Sequence, residues 1–193
     1  MYTPWGYQVE ELPPIISEDT LNEATGNAWA GDVRLATAIE AASAAIRNEC
    51  GWHITPSLEC VAYLSPNGKV AKLPANLVTE IISVSEDGRD LNPGDFEARH
   101  DGLMRRANFR NWSKKWDGIR VTYVAGYETA PELQSIAINL VEAALTTPTG
   151  VASESAGGVS ISYKTAAMTV TAATLGSMKS TLAPYRLVSA HAT

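Results

Sequence analysis

Cysteine is scarce in this 193-residue sequence, where Cys50 and Cys60 are the only two. They allow at most one disulfide, so a scaffold stapled by several bridges is excluded. Histidine is nearly as rare (His53, His100 and His191), and no CxxC pair occurs, so a zinc site lacks its usual ligand spacing. The opening MYTPWGYQVEELPP has neither the basic n-region nor the apolar h-region of a secretion signal. No apolar run reaches the ~18 residues that cross a bilayer. The expectation is a soluble chain kept in a reducing cytoplasm, without a membrane contact. Also missing are the phosphate-cradling GxxxxGKS/T, a GxGxxG after a strand, the metalloprotease HExxH and the GxSxG nucleophile elbow. No cofactor and no motif-borne catalytic set is therefore expected, and catalysis by dispersed residues stays open. A chain of this length buries roughly 70% of its unfolded surface, enough for a core without a staple.

What is present, first, is unevenly placed charge. The chain carries fifteen bases and twenty-one acids, a formal net charge of −6. Six of the bases (Arg105, Arg106, Arg110, Lys114, Lys115 and Arg120) fall within residues 103–120, against the single acid Asp117. A monomer with so acidic a remainder repels duplex phosphate, and general nucleic-acid binding is disfavoured. A local basic face is not. Trp112 and Trp116 flank Lys114 and Lys115 in that segment, a pattern that suits base stacking and phosphate contact. The same pattern suits two indoles covering a sheet edge beneath solvated cations. Arg105, Arg106, Arg110, Lys114 and Lys115 are the candidate DNA-proximal face.

Periodicity then organises the chain. Residues 1–30 are rich in proline, glycine and acids and read as an arm, with at most a turn of helix near residues 17–23. Leu35, Ile39, Ala42 and Ile46 recur at helical spacing, and Asp32 is placed to cap them, predicting a helix over 32–50. From Leu58 the period becomes two, and short strands are expected through 57–126. Asp87-Gly88 and Asp101-Gly102 are the turn dipeptides between them. Pro131 opens a second helix over 131–146. Residues 150–158 read as a loop, 159–163 as a strand returning near Met168 and Val170 within a loop-strand region 150–171, and 174–183 as a short third helix. Residues 188–193 form a tail. The expected fold is α+β: a small helical bundle of two long helices plus a short C-terminal one, with an inserted antiparallel β-hairpin sheet.

The stretch CGWH, residues 50–53, invites a chemical reading because it sets a thiol near an imidazole. Gly51 stands where a helix reverses through the left-handed conformation, so Cys50 ends the helix and His53 follows the reversal. Covering of the core's end by Cys50 and Trp52 is the plainer reading. A zinc set would require His100 and His191 to converge on the pair. A cysteine nucleophile would require an orienting residue that the sequence does not display.

In order along the chain, AAIRNECGWHITP, Leu73-Pro74, the turns at 87 and 101, NWSKKWDGIRVTYVAGY, the helix opened by Pro131 and GVASESAGGVSISY resemble the head-to-tail connector, or adaptor, proteins of tailed double-stranded DNA bacteriophages. The resemblance covers roughly residues 30–187, which would be the connector domain. It implies a non-catalytic virion protein at the head-tail junction, assembled in the host cytoplasm. Such proteins form a ring, here expected to be a dodecameric homo-oligomer, beneath the portal protein. The ring extends the channel for packaged double-stranded DNA and receives a stopper or tail-completion protein. Portal contact would fall on Ser153, Glu154 and Ser155 in the loop and on Leu182, Tyr185 and Arg186. The third helix is poorer in charged helix formers than the family pattern, and the acidic first thirty residues lie outside the match. A DNA-binding module built on residues 103–120, or another neck or tail-completion protein, is the alternative reading.

Overall fold

The computed structural model describes residues 1–66, 68–146, 153–156, 159–162 and 178–187. In chain order the elements are β1 (Tyr7–Val9), α1 (Glu18–Thr25), α2 (Leu35–Cys50), β2 (Leu58–Leu64), β3 (Val70–Lys72), β4 (Val78–Glu86), β5 (Arg89–Asp90), β6 (Phe96–Ala98), β7 (Leu103–Arg106), β8 (Ile119–Ala125), α3 (Pro131–Thr146), β9 (Ser153–Ala156), β10 (Val159–Ser162) and α4 (Lys179–Leu182). They divide into two bodies. The first takes Met1–Pro13, Glu49–Ala130 and the chain from Pro184; the second takes Pro14–Asn48 and Pro131–Ala183.

Alternation builds the first body. Cys60 and Ala62 of β2 are buried while Glu59 and Tyr63 face outward, and β8 buries Ile119, Val121, Tyr123 and Ala125 while Arg120 is exposed. The strands pair antiparallel with Cys60 opposite Tyr123 and Ala62 opposite Val121, so their apolar residues share one face. β4 joins on the other side of β8, with two register shifts, and β1 adds to β2 with Tyr7 opposite Ala62. The result is a five-stranded antiparallel sheet ordered β1-β2-β8-β4-β5. β3, β7 and β6 form a second, three-stranded antiparallel sheet. At the β4–β5 turn Asp87 and Gly88 both take positive φ, 53° and 80°, the geometry that closes a two-residue hairpin.

The second body is built on helical stripes. Leu35, Ala38, Ile39, Ala42 and Ile46 are buried along α2, and Leu133, Ile136, Ala137, Leu140, Val141 and Leu145 along α3, each at three- and four-residue spacing. α1 buries Leu21; Ser17 caps it by accepting the Thr20 N–H, and Gly26 ends it in the left-handed region. Ahead of α2, Asp32 accepts the backbone N–H of Arg34 at 2.8 Å and two guanidinium bonds at 3.0 and 2.6 Å. The same guanidinium donates to the Leu145 carbonyl at 3.3 Å, satisfying an end carbonyl of α3. β9 and β10 form an antiparallel hairpin in this body.

The architecture corrects the expected one. Eight strands in the two antiparallel sheets of the first body, with four helices among the described residues, make a sheet-rich α+β fold rather than a helical bundle with an inserted hairpin sheet. Strands over 57–126 are legible in the sequence, but their pairing into two sheets, with β1 added at one edge, is non-local and leaves no period along the chain. β1 lies within the residues expected to form an arm, and β9 within the stretch read as a loop. α4 covers the end of the helix expected over 174–183; residues 163–177, with the return near Met168 and Val170, and the tail at 188–193 lie outside the described residues.

Hydrogen bonds from Arg34, side chain first and backbone second, lower the Asp32 carboxyl from 3.8 to about 2. A group depressed by folding contributes stability above its unfolded value and loses it as pH falls through the folded one. The stability gap between the wild type and Asp32→Asn is expected to hold from neutral pH to about 4 and close toward pH 2, read from urea unfolding midpoints.

Candidate functional site

The CGWH stretch lies inside the first body as a knot of side chains. Cys50 is the last residue of α2, Gly51 reverses the chain at φ 79°, and Trp52, His53 and Ile54 are wholly buried. The Ala125 carbonyl can only accept, so His53 Nε2 carries a hydrogen and donates to it at 2.9 Å. Tyr7 Oη accepts the His53 backbone N–H at 2.9 Å and donates to Nδ1 at 2.8 Å. Both ring nitrogens are thus engaged in structure. Burial pushes the thiols of Cys50 and Cys60 up to about 12, with Glu59 adding to the effect at Cys60. A thiol so raised is a poor nucleophile near neutral pH. Among the described residues no group of three or more His, Cys, Asp or Glu is placed to hold a metal. No described helix is long and apolar enough to cross a membrane.

The residues near the chain's end pack on the same knot. Trp52 Nε1 donates to the Tyr185 carbonyl at 2.6 Å, the Leu187 N–H donates to the Cys50 carbonyl at 2.7 Å, and Asn76 Nδ2 donates to the Arg186 carbonyl. Arg186 pairs with Glu49, and the Tyr185 ring meets Tyr127 edge-on at 5.4 Å. Of the residues assigned to portal contact by resemblance, Tyr185 and Arg186 are half-buried here, while Leu182, in the other body, is wholly buried. Ser153, Glu154 and Ser155 lie along β9, opposite Ser162, Ile161 and Ser160 of β10. The set is thus spread over a hairpin, a buried apolar position and a packed strap.

The basic segment resolves into two kinds of residue. Arg106 is buried, with its guanidinium 3.7 Å from Glu86 Oε2 and 5.6 Å above the Trp112 ring. Trp112 is itself 2% exposed, and its backbone N–H donates to the Gly68 carbonyl at 2.9 Å. Glu86 Oε1 accepts the Ser113 N–H at 2.7 Å, which fixes the loop between β7 and β8 to the end of β4. Arg105 pairs with Glu97 and lies 4.9 Å over the Phe109 ring, and Lys115 stands 3.7 Å from Asp87. Arg110 and Lys114 are exposed with no ion pair among the described residues, and Trp116 is 92% exposed. The two tryptophans thus divide, one into the core and one into solvent. Phe109, which no sequence pattern singles out, is 58% exposed in the same loop; its position three residues after Arg106 carries no periodic signal there. Across the three-stranded sheet, Val70, Leu103 and Met104 with Glu97, Arg99 and Arg105 line a groove of about 400 Å³, and its arginines are paired with Glu97 and Asp101.

No protein-family model matches the chain, and no curated protein matches it. Among solved structures it is similar to a chain of the neck of an empty GTA (gene transfer agent) particle, computed with C6 symmetry. The TM-score is 0.57 at 13% identity, over 97% of this chain and 98% of that one. The likeness is one of fold.

Truncating Trp112 to Ala is expected to cost about 3–5 kcal/mol because it empties a buried site. Trp116→Ala should stay within about 0.5 kcal/mol of the wild type; equilibrium urea unfolding of the two variants checks the contrast. Alkylation of Cys50 and Cys60 by iodoacetamide at pH 8, followed by mass spectrometry, should run at least about a hundredfold slower in the native protein than in urea, as buried thiols with raised pKa require.

Proposed function

We propose that this chain is a structural subunit of the neck of a phage-like particle. It would form a ring, with a dodecamer as the expected size, that joins the portal to a stopper or tail-completion protein and continues the DNA channel. The observation that carries this reading is the fold likeness to a neck chain, which runs almost end to end in both proteins. A symmetric neck is built from repeated subunits, and a heterologous interface closes into a ring without a self-complementary patch. The fit of the CGWH knot supports a role exercised through surfaces rather than catalysis, because the thiol and imidazole that invited a chemical reading are committed to packing and hydrogen bonds. The acidic balance of the chain supports it too. A wall around moving duplex DNA works best when it forms few ion pairs with phosphate, since each adds salt-dependent affinity and drag.

The location would be the virion head-tail junction, reached after assembly in the host cytoplasm, with Ser153, Glu154, Ser155, Tyr185 and Arg186 as portal-facing candidates. Leu182, the remaining candidate, is buried in the second body and would act through the packing of that body.

Sedimentation velocity of the purified chain, alone and mixed with its cognate portal, tests the reading. A ring, or a monomer that becomes one on the portal, is expected. A monomer that ignores the portal at all accessible concentrations overturns it.

A further inference from the structure

The loop between β7 and β8 exposes apolar surface while being held firmly. Trp112 anchors it in the core, Ser113 is tied to Glu86 and to Asp87 Oδ1 at 2.8 Å, and the Asp117 N–H donates to Ser65 Oγ at 2.7 Å. A further turn closes where the Gly118 N–H donates to the Lys115 carbonyl at 3.1 Å. Within that frame Trp116 is 92% and Phe109 58% exposed. Their exposure therefore comes with little freedom to withdraw. Aromatic residues and arginine are the side chains enriched where protein surfaces bind one another, and a pre-ordered loop loses little entropy on docking.

The charge on this loop selects the partner. Arg105, Arg106 and Lys115 are paired within the chain, whereas Arg110 and Lys114 have no ion pair among the described residues. Two loop cations without an ion pair among the described residues are few for a duplex DNA site, and an exposed indole stacks on bases only where they are unpaired. The chain itself carries a complementary surface. Its first thirty-three residues hold six acids and no base. Of these, Glu18, Asp19 and Glu23 on α1 are exposed, without an ion pair among the described residues. α1 has no basic residue in its last turn, although that end carries the negative pole of the helix. A cation arriving from outside supplies what the helix lacks.

We infer that the loop of residues 107–117 docks on helix α1 of a second copy of this chain, with Phe109 and Trp116 as apolar anchors and Arg110 and Lys114 meeting Asp19 and Glu23. The contact joins two different surfaces, so it repeats head to tail around a ring. This inference rests on the reading of the chain as a ring-forming neck subunit and names the interface that closes the ring.

Charge exchange tests it. Arg110→Glu/Lys114→Glu puts acid against acid, and Asp19→Lys/Glu23→Lys puts base against base. Sedimentation velocity, under the conditions in which the wild type assembles, is expected to show each variant associating at least about tenfold more weakly. An equimolar mixture should recover assembly, because every contact in an alternating ring is again between opposite charges. Trp116→Ala should weaken assembly about tenfold without lowering Tm. Recovery in the mixture also shows that both variants fold. If the wild type forms its ring and both charge variants do so equally well, the inference falls and the neck reading stands. A mixture no better than its components overturns it too. If Arg110→Glu/Lys114→Glu assembles normally and loses only retention of duplex DNA, the loop belongs to DNA and the inference is overturned. A wild type that never assembles, alone or on the portal, removes the neck reading itself.

Discussion

The first body depends on one buried imidazole. His53 presents two nitrogens to an interior without solvent, and a polar atom left unpaired there costs roughly 1–3 kcal/mol. Pairing them draws distant segments together: Tyr7, from a strand near the start of the chain, serves Nδ1, and Ala125, at the end of β8, serves Nε2. The neighbours are shaped to allow it. Gly126 has φ +112°, and a Cβ there would stand 2.6 Å from the Pro56 carbonyl oxygen and 2.7 Å from His53 Nε2. Ile54, a β-branched residue, is held at φ 66°, a conformation that persists only when its surroundings determine it. Its carbonyl accepts the Tyr127 N–H at 2.7 Å, so the strained residue is itself part of the closure. β1 is only three residues long, and the tyrosine bond to the core gives so short a strand a reason to stay in the sheet.

Much of this was legible where a long period or a local signal existed. α2 and α3 show their stripes in Leu35 to Ile46 and Leu133 to Leu145, and the β4–β5 turn shows itself in Asp87-Gly88, because spacing and turn chemistry are local. β1 was not legible: Tyr-Gln-Val offers one alternation between turn-forming neighbours, and its pairing with β2 spans half a hundred residues. α1 did leave a signal, with Ser17 able to cap and Gly26 able to stop, but its acid-rich face masked the single buried Leu21. The fold class failed for the same reason: short strands add up to a large sheet only once pairing is known.

The candidate site was legible as composition and not as geometry. The excess of base over residues 103–120 is plain in the sequence, yet nothing there separates Trp112 from Trp116 or Arg106 from Arg110. That separation is made by tertiary partners, chiefly Glu86, whose carboxylate both holds Ser113 and faces Arg106. Likewise the CGWH stretch resembles chemistry until Tyr7 is seen to occupy the imidazole. Proximity of a thiol and a histidine in sequence says little when each has a nearer commitment in space.

The borders of the three-stranded sheet bear on how copies of the protein meet. In the three-stranded sheet β3 and β6 are three residues each and the β7 between them four, so the rows of unpaired backbone groups at its rims are brief. A long bare rim would recruit strands from any copy nearby and grow without limit. A protein concentrated beside many copies of itself faces that hazard most sharply. By keeping the rims of its three-stranded sheet too short to template a stranger, the fold leaves side chains there to decide who its neighbours are and when the assembly stops.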